Sequence, residues 1–123
     1  KKKDLYDKTN DFAMVSIEKQ QELLEFIKTF EVNEDTAKDL IQSRLNIMFG
    51  VARIYSRLEH PDKSRKVEYM KKSLLWYERI QEYLQEVKKG QYAEKVSDLN
   101  EQLRICEEMV GLMPIRISQV NAE

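Results

Sequence analysis

Glycine and proline are scarce, with 3 and 2 copies in 123 residues. That leaves little material for tight turns and points away from loop-rich β architectures. Cys106 is the single cysteine, so no internal disulfide is possible and a reducing compartment is expected. There is one histidine, His60, and no HxxxH or CxxC spacing to make a metal site around it. Long apolar runs are missing too. Stretches such as Ile47 to Ala52 fall far short of the roughly 20 residues that span a bilayer, and no signal-peptide core is present. No membrane insertion and a cytosolic location are therefore expected. Charge of one sign is absent as well: 21 Lys+Arg against 22 Asp+Glu give −1. A general nucleic-acid binder would carry a basic footprint, so none is expected, although the balance leaves room for a local basic patch. Nor is there a Gly-rich phosphate loop, a GxSxG, an HExxH or zinc spacing. The sequence predicts no enzyme, no cofactor and no metal.

What is abundant is helix-forming: Leu, Ile, Glu, Lys, Gln and Met. The expected fold is all-α, an antiparallel bundle of long helices or a fragment of a TPR-like αα-solenoid, in one domain over 1–123. Four helices are expected, at about 3–30, 34–58, 61–89 and 91–110, with a short turn at 114–120. In the first, Phe12, Val15, Leu23, Phe26, Ile27 and Phe30 fall on one side of a 3.6-residue wheel and read as its core face. The lysines at 1–3 read as a frayed end or a basic arm. Asn33 is placed to cap the second helix, followed by Glu34 and Asp35 where the helix dipole favours negative charge. That helix carries Ala37, Ile41, Leu45, Met48, Ala52 and Tyr55, widened by Leu40, Ile47, Val51, Ile54 and Leu58, and should be the central one. Gly50 marks either a close approach of a neighbour or a kink.

The third helix repeats Val67, Met70, Leu74, Tyr77, Ile80, Leu84 and Val87. A second line, Tyr69, Trp76 and Tyr83, recurs every seven residues, either packed on a neighbouring helix or presented to a partner. Small residues stand near aromatics on both central segments: Ala52 before Tyr55, Ser73 before Tyr77. Such placement suits a paired αα unit. His60 reads as a solvated loop histidine beside Pro61. Lys63, Arg65, Lys66, Lys71 and Lys72 make the start of the third helix basic, as a solvated face or a partner contact. Lys88-Lys89-Gly90 is a helix stop. Tyr92, Val96, Leu99, Leu103, Cys106, Val110 and Met113 then form a regular heptad seam, suited to a dimeric coiled coil or to packing inside the chain. Cys106 reads as a small buried apolar residue. Gly111 and Pro114 are expected to end that helix.

Several short stretches in order resemble one family. Val51-Ala52-Arg53-Ile54-Tyr55 is similar to its V-A-R-[LI]-Y core, and His60-Pro61-Asp62-Lys63 falls at its polar turn. Ser73-Leu74 with Tyr77 resembles its S-L-x-x-Y helix. Glu107 or Glu108, Met109-Val110 and Leu112-Met113-Pro114 resemble its E-M-V-x-L-L-P ending. Ser56 departs from the glycine usual there. By these matches the Leu45–Val120 region resembles the C-terminal part of the KIF-binding proteins, the kinesin-binding family. The resemblance implies an elongated helical repeat, a cytosolic and cytoskeleton-associated inhibitor, and kinesin motor domains and the family's N-terminal repeats as partners. The inhibitor would keep motors off microtubules by covering their binding surface. Candidate contacts are Arg44, Arg53, Arg57, Lys63, Arg65 and Lys66, with Trp76 as an aromatic anchor, although Arg53 lies beside the core stripe. The alternatives are a generic TPR-like adaptor or the structural cap of a solenoid.

Overall fold

The computed structural model describes residues 2–123, so Lys1 of the basic N-terminal run lies outside the described residues. Four α-helices follow one another: α1 (Lys2–Ile27), α2 (Ala37–Arg57), α3 (Lys63–Lys89) and α4 (Leu99–Ala122), with a 3-10 turn at Ala93–Lys95. No strand occurs among the described residues, and the fold is all-α. Each helix packs on its chain neighbour: α1 on α2, α2 on α3, α3 on α4. Cross-helix bonds set the directions. Asp7 and Asn10 of α1 meet Arg65 and Tyr69 of α3, so α1 and α3 run parallel. Ser73 of α3 reaches Ala52 of α2, and Lys63 of α3 reaches Asn121 of α4, so α2 and α4 run the other way.

Helix α2 is central. Its whole predicted stripe is buried, from Ala37 to Tyr55, with Ile47 and Val51 widening it. Asn33 acts ahead of it: its Oδ1 accepts from the Asp35 and Thr36 amides at 2.9 and 3.1 Å, and regular helix starts at Ala37. The main core joins α1, α2 and α3 to Leu103 and Cys106 of α4, and burial pushes the Cys106 thiol up to about 12. A second cluster, Val67 and Met70 against Met113 and Val120, closes the far end of the α3–α4 pair.

Three expectations are corrected. The apolar face of α1 built on Phe12, Val15, Leu23, Phe26 and Phe30 points outward, each of these side chains being exposed. Its inner line is Asn10, Ile17 and Leu24, one residue per heptad, with Ala13, Met14 and Ile27 partly buried beside it. The polar ties of Asp7 and Asn10 to the α2–α3 connection turn that side inward. The fourth helix does not span 91–110. Ser97-Asp98 interrupts it, Asp98 sitting at φ 55° in the left-handed region that Asp tolerates, and α4 begins only at Leu99. It then runs through Gly111 and Pro114 to Ala122, replacing the predicted short turn. Pro114 removes one intrahelical bond, a cost of about 3 kcal/mol. Burying Met113, Ile117 and Val120 on α3 offsets it.

The third correction is His60, whose side chain is fully buried. Its Nδ1 accepts from the Asp62 amide at 2.9 Å, which leaves Nε2–H to donate to Asp7 Oδ1 at 2.8 Å. Arg65 also donates to Asp7, and Asn10 Nδ2 donates to the Glu59 carbonyl at 3.1 Å. The hydrogen bond from His60, helped by the Arg65 charge, holds the Asp7 carboxyl below its ordinary value. A depressed folded-state pKa supports stability above the unfolded value and loses that support as pH falls through the folded one. The N-terminal half of α1 should therefore loosen in acid, below about pH 4. Hydrogen exchange of α1 amides across pH 3–6 would read it, and Asp7→Asn should already exchange fast at neutral pH.

Candidate functional site

A groove of about 870 Å³ lies between α1 and α3, with α2 at its base. Its position follows from the helix order. Two parallel helices lie side by side, and the antiparallel α2 packs beneath the gap. On the α1 side it runs from Glu18 to Lys28, about 15 Å at 1.5 Å per residue, or three turns of a docked helix. Leu24 and Met48 form its apolar bottom, and Trp76 and Tyr83 its α3 wall.

The heptad line Tyr69, Trp76, Tyr83 thus faces α1 and the groove. Tyr69 hydroxyl lies 3.4 Å from Asn10 Nδ2. Trp76 is 6 % exposed, its ring covered by the Arg79 guanidinium at 5.1 Å. Tyr83 carries the Arg44 guanidinium at 4.0 Å over its ring. Burial pushes the Tyr83 phenol up, against the opposing pull of Arg44. Arg44 is half-buried, and its Nε is the single buried side-chain polar atom without a partner among the described residues. Such a donor is costly to leave unmade.

Five carboxylates line the groove, Glu18, Glu22 and Glu25 from α1 and Glu82 and Glu86 from α3, against Lys28, Arg44 and Arg79. All five are exposed. Lys28 is bonded to Glu25 at 3.2 Å, and the two arginines sit over aromatic rings. The rim is acidic and the floor is apolar and aromatic. This arrangement suits a segment with an apolar ridge and basic flanks. Among the described residues, no group of three or more His, Cys, Asp or Glu could hold a metal ion, and no helix is long and apolar enough to cross a membrane.

The seven predicted contacts separate into three places. Arg44 and Trp76 come together in the groove. Arg53 and Arg57 are exposed on α2, where with Arg116 their charges oppose the upward push of burial on the Tyr77 phenol. Lys63, Arg65 and Lys66 each make a tie within the molecule: Lys63 to the Asn121 carbonyl at 3.1 Å, Arg65 to Asp7 at 2.6 Å, Lys66 to Glu59 at 3.1 Å. The basic start of α3 is thus a fastening point for α1, the α2–α3 connection and the end of α4. Sequence reasoning missed the acidic rim. Its signal was present as Glu18, Glu22 and Glu25 at helical spacing, opposite Glu82 and Glu86, but only the parallel course of α1 and α3 on either side of the groove brings the two rows together.

The family model described as KIF-1 binding protein C terminal matches residues 1–120. The match takes in α1, beyond the Leu45–Val120 stretch of motif likeness. A KIF-binding protein of Gallus gallus is 25% identical over 118 residues. Those residues cover 94% of this chain but only 19% of the relative. No solved structure matches.

Proposed function

The chain belongs to the KIF-1 binding protein C-terminal family, and on that premise we propose that it is a non-enzymatic protein-binding module of a longer helical repeat protein. Its partner is a kinesin motor domain, which it helps keep off microtubules by covering the attachment surface. The module acts as one helical unit in the cytoplasm, on the cytoskeleton. The observation that carries this reading is the acid-rimmed groove between α1 and α3. A basic-flanked helix of the motor lies along it, its apolar ridge on Met48, Trp76 and Tyr83. Arg44 and Trp76 are the predicted contacts that belong to the site. Arg53 and Arg57 form a separate basic edge, and Lys63, Arg65 and Lys66 serve the fold.

The test is microtubule co-sedimentation of a panel of kinesin motor domains with the longer protein. At least one motor should leave the pellet. If none does, the kinesin reading fails. The site is tested separately by charge reversal. Glu22→Lys with Glu82→Lys should weaken motor binding at least fivefold, and salt should weaken the unaltered complex. Arg53→Glu with Arg57→Glu should leave affinity within twofold. The opposite pattern in folded variants would move the site to the α2 edge.

A further inference from the structure

The outer face of α1 is apolar and uncovered. Leu5, Phe12, Val15, Leu23 and Phe26 share it, at 66, 81, 50, 46 and 59 % exposure, and Phe30, 49 % exposed, follows just past its end. Phe26 and Phe30 meet edge to face, centroids 5.0 Å apart. Scattered exposed hydrophobics need no explanation, but two apolar clusters on one side of a 26-residue helix, Leu5–Phe12–Val15 and Leu23–Phe26, separated at Lys19, mark an interface. The other end of the array contrasts with it. The outer surface of α4 carries the Glu101–Arg104–Glu108 ion-pair network, with Ile105 and Ile115 as its exposed large hydrophobics. In stacked helical repeats the terminal helix needs a polar outer face, and an inner one does not. By that criterion α4 is a cap and α1 is an inner helix.

We propose that the outer face of α1 docks a helix of the same polypeptide, from the part that precedes this region in the longer family members. This rests on the reading that the chain works within a longer helical protein. Two facts favour that occupant over a second copy. The matching family model is C-terminal, and the chain spans only 19% of its chicken relative, which leaves ample sequence to supply the helix. The existing packing also has a fixed rule, each helix antiparallel to its neighbour, and an added helix on the free side of α1 continues it. The docked helix runs antiparallel to α1 and presents its own apolar stripe to Phe12 and Phe26.

Photo-crosslinking in the longer protein, without any motor present, tests this apart from kinesin binding. Benzoylphenylalanine replaces Phe12, which keeps an aromatic ring at the site. The expected product is an intrachain crosslink to a peptide preceding this region, identified by mass spectrometry. A crosslink to a second copy in a dimer-sized band, or no crosslink at all, overturns the proposal. A second measurement uses the same protein with Phe12→Cys or, separately, Glu108→Cys. The thiol at position 12 should react with maleimide at least tenfold more slowly than the one at 108, at every protein concentration. Equal rates, or protection lost on dilution, also overturn it.

Discussion

Replacing Ser73 with leucine should lower the stability of the fold by about 2–4 kcal/mol, whereas alanine at the same place should cost about 1 kcal/mol. Ser73 is fully buried, and its Oγ donates to the Ala52 carbonyl at 2.8 Å across the α2–α3 contact. Ala52 is itself 0 % exposed. Two small residues face each other here, so the backbones of α2 and α3 come close. Alanine removes the bond but keeps the spacing, and the Ala52 carbonyl still holds its own helical bond. Leucine removes the bond and also forces the helices apart or its own rotamer off its minimum. A domain of this size has a net stability of only about 5–15 kcal/mol, so the larger loss is a substantial share. Urea unfolding should place the leucine midpoint roughly 1–2 M below the parent, with an unchanged slope. A leucine variant no weaker than the alanine one would mean that the α2–α3 contact has room to spare.

That contact was legible in the chain, and its neighbour was not. Ala52 with Tyr55 and Ser73 with Tyr77 sit on stripes whose period matches their burial. Helix α2 packs on two sides, so almost any apolar line on it is a core line. Helix α1 packs mainly on α2, and it carries two candidate lines. The outer one, with Phe12, Phe26 and Phe30, is the more apolar in sequence. The inner one places Asn10 among Ile17 and Leu24, and a polar residue at a core position hides the pattern. Asn10 is acceptable there because its amide is satisfied by the Glu59 carbonyl and the Tyr69 hydroxyl, two partners 49 and 59 positions away. Buried His60 was hidden for the same reason, since its acceptor Asp7 lies 53 residues earlier. Local punctuation misled at α4. Gly111 and Pro114 are stop signals, yet packing of Met113 and Val120 on α3 outweighs them.

The groove was partly legible: Arg44 and Trp76 were visible as candidates, but their meeting depends on α2 packing against α3, and the groove around them on α1 lying parallel to α3. Their environment leads to the sharpest functional expectation. Arg44→Met should raise stability by about 1 kcal/mol and weaken motor binding about tenfold. The unpartnered Nε of Arg44 costs about 1–3 kcal/mol while buried, and its stacking on Tyr83 returns only about 0.5–1 kcal/mol. Methionine keeps an apolar side chain beside Tyr83 and removes the unpaired donor. A group held at net cost in the free protein marks a place where function, not stability, set the residue. On the proposed reading the outer nitrogens of the Arg44 guanidinium donate to a carbonyl or hydroxyl of the docked helix, and water is excluded around that bond. Arg44→Lys should fall between the two in affinity, since it keeps the charge but loses the planar fork that lies on Tyr83. Urea unfolding and calorimetric titration with a motor domain would read both effects on the same samples. If Arg44→Met lost stability and kept its affinity, Arg44 would be a packing residue and not a contact to the motor.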